Sequence, residues 1–442
     1  MHQTVDAGAL LDASPWTSYQ KLLTALAALA VIFDGFDIQI LAFAMPSLIK
    51  DWQVSRADFG PVLAIGLAGM AIGGPLAGYV GDRFGRRPAL IACVTLFGLA
   101  TIATAFVDGL IGLAILRFIT GVGAGGALPN AGALAAEFAP IRRRPVAVKL
   151  TIVCIPLGGM LGGLIAAQIL PALGWRALYL IGGVAPLLFA GLLWWALPES
   201  PRFLARRAEL WPELIRVLRR MGHKLADGTT FEDHTESRDT TKASLNALFG
   251  RGLARNTAGL WIAFFFCLGA VYLIFGWLPT MLSAQGLSVA TASSGLAVYN
   301  FGGVLGVLLW TLLIAMLGSR RPLLLGALAA AMSALAMLLV PLSGDWLIVG
   351  LGVHGLFANA VQTSLYALAA HIYPTSMRAS GVAYAAAIGR VGALLSSFFG
   401  AAIIRTGASA YWYALAIGMI CAFAGLALVS NHFGPAKRAE AR

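Results

Sequence analysis

Apolar stretches of about 20 to 25 residues follow one another through most of the chain, separated by short polar breaks. A helix of that length crosses the roughly 30 Å hydrocarbon layer of a bilayer. Twelve such stretches are predicted, at about 22–46, 57–80, 89–107, 110–134, 146–170, 175–197, 257–281, 293–317, 322–341, 345–370, 380–404 and 411–431. One long polar interval, 198–255, separates the sixth from the seventh. Within it, Trp211–Arg220 has the spacing of a short amphipathic helix.

The polar breaks repeat. Arg86-Arg87-Pro88 recurs as Arg320-Arg321-Pro322, a displacement of 234 residues. At the same displacement Pro140 and Arg144 recur as Pro374 and Arg378, Gly121 as Gly355, and Gly158 as Gly392. Equal numbers of spans in the two halves give both halves the same orientation. That is a parallel repeat about an axis along the membrane normal, with a substrate path between the halves.

Composition removes the soluble alternative. Of 442 residues, 59% are hydrophobic and 11% charged, which a soluble protein of this length does not tolerate. The net charge of +12 would favour nucleic acid if it were clustered. Instead 25 of the 31 Lys and Arg fall on one side of the predicted membrane: fourteen in short loops and ends, among them Arg83, Arg86, Arg87, Arg142, Arg144, Arg320 and Arg378, and eleven in 198–255. The other side carries Lys50, Arg56, Arg176 and Arg405. This is the positive-inside pattern, which puts both termini in the cytoplasm and makes nucleic acid a poor partner. The expected organisation is an N-terminal six-helix bundle (1–197), a cytoplasmic linker (198–255) and a C-terminal six-helix bundle (256–442). Cys93, Cys154, Cys267 and Cys421 sit in predicted helices without metal-ligand spacing, so neither a metal site nor a disulfide framework is expected. The polar, acidic N-terminus up to Ser18 lacks a cleavable signal pattern, which leaves the first span as the insertion signal.

Charges inside the spans mark the candidate chemistry. The first span contains Phe33-Asp34-Gly35-Phe36-Asp37, with two acids three residues apart on roughly one helix face. Each costs about 2.5–3.5 kcal/mol at the centre of a membrane helix, so the pair implies a partner, a proton or a water-filled path. Two more charges, Arg117 and Arg390, lie in the fourth and eleventh spans. A buried Arg needs an acid or carbonyls, and the first-span acids are candidate partners for Arg117, either as a structural tie or in proton coupling.

Three motifs give these charges a setting. Gly78-Tyr79-Val80-Gly81-Asp82-Arg83-Phe84-Gly85-Arg86-Arg87 matches the signature between the second and third helices of the major facilitator superfamily. Asp82 there can pair with a basic residue or a helix N-terminus and latch one conformation, against the plainer reading of a basic loop. Arg117 with the closely spaced Gly121, Gly123, Gly125 and Gly126 matches the fourth-helix signature of that superfamily. Pro198-Glu199-Ser200-Pro201-Arg202 resembles a sequence found after the sixth helix in several branches, and it marks the linker start. A narrower resemblance follows. Asp34-Gly35-Phe36-Asp37, Gly125 to Asn130 followed by Glu137, Tyr373-Pro374-Thr375 with Arg378 to Gly381, and Gly389 to Ala393 are similar to stretches of the aromatic acid:proton symporter family.

The resemblance implies the major facilitator fold and uptake of an aromatic carboxylate coupled to protons. It implies that Asp34, Asp37 and Arg390 are needed for transport. It matches Glu137 to a loop acid of that family and Arg117 to its fourth-helix basic residue. One departure is clear: the loop after the eighth span reads Leu317-Gly318-Ser319-Arg320-Arg321, and Met316 stands at the repeat position of Asp82. A second latch is therefore in doubt.

An aromatic acid needs a cation for its carboxylate and flat apolar walls for its ring. Arg390 offers a planar fork. Phe33, Phe36, Tyr272, Trp277 and Tyr299 are candidate walls, each with ordinary helix packing as its competing role. Asn359, Gln362 and Asn300 could bond a ring hydroxyl or a neighbouring residue, whereas His354 reads as a satisfied polar residue between helices and His371 as solvated. Asp82, Arg83, Arg86, Arg87, Arg117, Glu137, Arg144 and Arg378 are expected to be structural or gating. The predicted function is proton symport by alternating access in a bacterial inner membrane, by a monomer surrounded by lipid and without a cofactor. Burial disfavours an ionised carboxylate, which allows an acid of the first span to take up a proton outside and release it inside. Alternatives are a symporter for a non-aromatic organic anion or other small metabolite, and a ligand sensor on a carrier fold. An enzyme is not expected, since no nucleophile–base set, metal spacing or phosphate loop appears.

Overall fold

The computed structural model describes residues 4–232, 248–250, 252–341, 345–374 and 377–435. Arg238, Lys242, Arg251, Lys437, Arg438 and Arg442, counted above on the basic side, and Thr375 of the Tyr373-Pro374-Thr375 stretch lie outside them.

Long helices dominate. The first half holds α1 (Ala7–Ala13), α2 (Ser18–Trp52), α3 (Phe59–Phe84), α4 (Arg86–Thr104), α5 (Leu110–Phe138) and α6 (Arg144–Ala196). Two short helices follow, α7 (Pro201–Ala205) and α8 (Trp211–Arg220). The second half holds α9 (Ala254–Ala284), α10 (Val289–Leu317), α11 (Arg320–Ala336), α12 (Asp345–Ile372), α13 (Arg378–Thr406) and α14 (Ala408–Leu428). Ten of the described helices are long and apolar enough to cross a membrane. One of them, α6, runs 53 residues and makes two crossings, breaking at Gly174, whose φ of 76° suits glycine. The twelfth crossing is α11, which at 17 residues falls just short of that length.

Local chemistry explains the ends. Thr17 and Gln20 form a reciprocal capping box that starts α2 (2.9 and 3.3 Å). Gly85 (φ 115°) and Gly318 (φ 76°) occupy equivalent turns after α3 and α10. Glycine also sets how close the helices come. A Cβ on Gly158 of α6 would overlap the Ile32 carbonyl oxygen of α2, and one on its repeat partner Gly392 in α13 would overlap the Phe265 carbonyl oxygen of α9. The two halves therefore use the same backbone-to-backbone approach at the same place.

The packing repeats as well. In the first half α2 lies on α6, α3 on α5 and α4 on α6; in the second half α9 lies on α13, α10 on α12 and α11 on α14. The halves meet where α2, α3 and α6 face α9, α10 and α13.

The polar N-terminus and the described part of the linker carry structure at the basic end of the first bundle. The strands β1 (Thr4–Asp6) and β2 (Thr230–Glu232) pair in parallel, Val5 opposite Phe231. Leu11, Leu204, Leu214, Leu218 and Phe231 bury against the same cluster as Leu23, Phe138 and Leu193. The amphipathic pattern of Trp211–Arg220 thus covers the end of the bundle, with Leu214, Ile215, Val217 and Leu218 inward.

Candidate functional site

A cavity of about 320 Å³ opens between the two halves, a size that suits a small organic molecule. Its polar groups converge from five helices: Asp34 on α2, Thr151 on α6, Tyr272 on α9, Asn359, Gln362, Thr363 and Tyr366 on α12, and Arg390 on α13. Ile38, Met70, Ile155, Leu268 and Phe275 supply apolar surface. Val148, Ile152, Thr363 and Tyr366 also line a second cavity of about 680 Å³, whose mouth carries Arg144 and Lys149. The central space thus continues toward the basic end of the molecule. On its other side Gln39 and Asn300 close the interface: both are fully buried, and their amides exchange two hydrogen bonds across the halves, of 2.8 and 3.2 Å.

The two first-helix acids have different surroundings. Asp34 is 1% exposed and borders the cavity, and its Oδ1 has no hydrogen-bond partner among the described residues. Asp37, 2% exposed, is tied to the first half and borders a small space that Tyr272, Phe275 and Ser397 of the second half also line. Thr101 Oγ1 of α4 donates to Asp37 Oδ1 at 2.8 Å, and Arg117 Nη1 of α5 lies 3.5 Å from Asp37 Oδ2. Arg117 also donates twice, at 3.3 Å, to the Asp37 main-chain oxygen. Arg390 borders the cavity and makes no hydrogen bond or ion pair among the described residues.

Tyr272, Asn359 and Gln362 line the cavity, although the Asn359 amide already donates to the Gly355 carbonyl at 3.0 Å. Phe33, Phe36 and Trp277 do not line it, and their proposed place as substrate walls is corrected. Phe33 stacks on Phe189 with centroids 5.2 Å apart. Phe36 fills the space left by Gly162 and Gly182. Trp277 is fully buried against Gly400 of α13. In each case a glycine or aromatic neighbour on a packed helix takes the ring. Tyr299 is buried beside Phe275 and His354, and Asn300 belongs to the interface pair with Gln39. His354 Nδ1 meets Ser333 Oγ at 2.9 Å and the Ala330 carbonyl at 3.1 Å. His371 meets the Phe433 ring edge-on, with centroids 5.2 Å apart.

The loop charges form a separate network at the basic end. Asp82, in the last turn of α3, pairs at 2.5 Å with Arg86 at the start of α4, a contact within the first half. Arg83 reaches the Tyr79 hydroxyl (3.2 Å), and Arg87 donates to the Trp194 carbonyl. Arg144 pairs with Asp12 of α1, and Glu137 accepts from the Ser200 hydroxyl. Arg378 begins α13. The sequence reading gave Pro198-Glu199-Ser200-Pro201-Arg202 little beyond a boundary role. In the structure Glu199 Oε1 accepts from the backbone N–H groups of Arg86, Arg87 and Ser200 at 3.0, 3.1 and 2.8 Å, which caps α4. Burial pushes the Glu199 carboxyl up from its ordinary range, and the three hydrogen bonds oppose that. Residues 27–349, and again 260–442, match the family model of the Major Facilitator Superfamily.

The chain belongs to the major facilitator superfamily.

Its similarity to members of that superfamily runs nearly end to end. It is 37% identical over 434 residues to a gallate transporter of Pseudomonas putida, covering 97% of this chain and 95% of that one. It is 35% identical over 405 residues to the 4-hydroxybenzoate transporter PcaK of Acinetobacter baylyi, covering 91% and 88%. Within the superfamily its relatives are thus aromatic acid transporters. In fold it is similar to the crystal structure of a D-xylose-proton symporter, with a TM-score of 0.73 at 21% identity, covering 94% of this chain and 99% of that one.

Thr101, Gln39 and Tyr366 carry no mark of their role in the sequence. A hydroxyl or amide in an apolar helix is too common to mark, and only the approach of a neighbouring helix reveals its partner. Asp12 was likewise hidden in a terminus that looked merely polar.

Proposed function

We propose that this superfamily member imports an aromatic carboxylate by proton symport, through alternating access of two bundles, 1–197 and 256–442, joined by the cytoplasmic linker 198–255. The observation that carries the reading is Arg390. It is a guanidinium bordering an interhelical cavity without an ion-pair or hydrogen-bond partner among the described residues. Arg390 is exposed where it borders the cavity, so its guanidinium is open to an entering ligand, and a carboxylate is the matching partner for a planar fork. Tyr272, Phe275 and Leu268 offer surface for a ring, and Gln362 and Tyr366 offer hydrogen bonds for ring hydroxyls. Asp34 and Asp37 provide the acid pair for proton coupling. The charge bias of the loops supports an inner-membrane protein with both termini in the cytoplasm, so the cavity faces inward in this conformation. The chain acts as a monomeric carrier and performs no covalent chemistry.

The test is binding. Purified protein is titrated with benzoate, 4-hydroxybenzoate, gallate and the non-aromatic cyclohexanecarboxylate, with unfolding temperature as the readout. The aromatic acids are expected to stabilise the wild type, cyclohexanecarboxylate much less, and Arg390→Ala to lose the effect. Equal stabilisation by cyclohexanecarboxylate, or an undiminished effect in Arg390→Ala, overturns the reading.

A further inference from the structure

We infer that the two acids of α2 divide the work: Asp34 is the group that binds and releases the transported proton, while Asp37 is a permanent anion that anchors Arg117, held in place by the positioning residue Thr101. The inference rests on the proton-symport reading above and goes beyond it by assigning the acids.

Geometry separates them. Both Asp37 oxygens are engaged, Oδ1 by the Thr101 hydroxyl at 2.8 Å and Oδ2 by the Arg117 guanidinium at 3.5 Å. Each contact favours the ionised carboxylate. A proton placed on Asp37 would leave Arg117 buried without its counter-charge. The other ionisable groups near Asp37 are Asp34 on its own helix, the buried Tyr179 phenol of α6, and the Tyr272 phenol of α9 across a shared space. Asp34 has the opposite setting. Its Oδ1 is buried and unpartnered among the described residues, yet the residue borders the cavity that continues to the basic end. The groups facing it are Asp37 on its own helix, the Cys93 thiol of α4, the Tyr272 phenol of α9 and Arg390 of α13. None of these makes a hydrogen bond or ion pair with it among the described residues. A carboxyl so placed is free to gain a proton when Arg390 turns to a substrate carboxylate, and to lose it when the substrate leaves. The proton comes from water on one side and returns to water on the other, so charge and atoms balance without a further reactant.

The experiment measures proton uptake when purified full-length protein binds 4-hydroxybenzoate, in weak buffer with a pH indicator. Wild type is expected to take up protons on binding. Asp34→Asn should bind the acid without proton uptake, and Thr101→Val should keep it. Asp37→Asn should also keep it if the variant folds; Thr101→Val, the milder change, decides the matter if it does not. Thr101 has its own readout in 4-hydroxybenzoate exchange across proteoliposomes. The acid-side loss of exchange should move to higher pH in Thr101→Val, by about one unit, and Thr101→Ser should restore it. Proton uptake retained by Asp34→Asn, or lost in Thr101→Val, overturns the division of roles and leaves symport standing. An unmoved pH profile in Thr101→Val overturns the positioning role of Thr101. Absence of proton uptake in the wild type overturns both this inference and the symport reading.

Discussion

At the scale of single residues, the energetically expensive side chains were the readable ones. Asp34, Asp37, Arg117 and Arg390 stand out because a charge in a membrane helix must have a reason. What the sequence could not supply was direction. Phe33, Phe36 and Trp277 are aromatic like Tyr272, yet only Tyr272 reaches the cavity, because helix rotation and the glycines opposite decide where a ring goes. Thr101 was invisible for the related reason that its meaning lies in the helix beside it. The pairing of Arg117 with Asp37 gives a prediction at this scale. Arg117→Ala leaves a buried carboxylate without its cation, and loss of one partner of a buried pair costs about 3–5 kcal/mol. Thermal unfolding of the purified variant should show a large drop in midpoint, whereas Arg83→Ala, at an exposed position in the last turn of α3, should leave the midpoint near that of the wild type.

At the scale of elements, the apolar periodicity located the spans. The fifth and sixth, at about 146–170 and 175–197, meet at Gly174, whose positive φ breaks the helical path without a polar loop. The strand pair between the N-terminus and residues 230–232 had no signal, because three-residue strands show no alternation. The helix contacts themselves were foreshadowed by the repeated glycines. Gly158 and Gly392 bring backbone against backbone in the two halves. Gly158→Ala should therefore destabilise the protein by roughly 1–3 kcal/mol through overpacking. Gly78→Ala, where nothing lies within 4 Å of the added Cβ, should be neutral or slightly stabilising, by up to about 1 kcal/mol. Chemical denaturation of the two variants in detergent compares them directly. Equal stability would mean that the approach of α2 and α6 does not depend on glycine.

At the scale of the whole molecule, the 234-residue displacement in the sequence reappears as a repeated set of helix pairs, which is why the architecture could be read in advance. The asymmetry between the halves matters more for function. The acids and Arg117 belong to the first half, Arg390 to the second, and the cavity lies where they meet. The Gln39–Asn300 pair joins the halves on one side of that cavity, while a continuous space leads to the basic end on the other. In the proposed orientation this is the arrangement of an inward-open carrier, and it makes transport driven by a proton gradient the claim to test. Proteoliposomes containing the wild-type protein are given an acidic exterior and radiolabelled 4-hydroxybenzoate, with Arg390→Ala and protein-free vesicles alongside. The account predicts that the wild type accumulates the acid above the level of protein-free vesicles, that a protonophore abolishes this excess, and that Arg390→Ala shows none. Accumulation by the wild type no greater than in empty vesicles, or an excess that survives the protonophore, would contradict it.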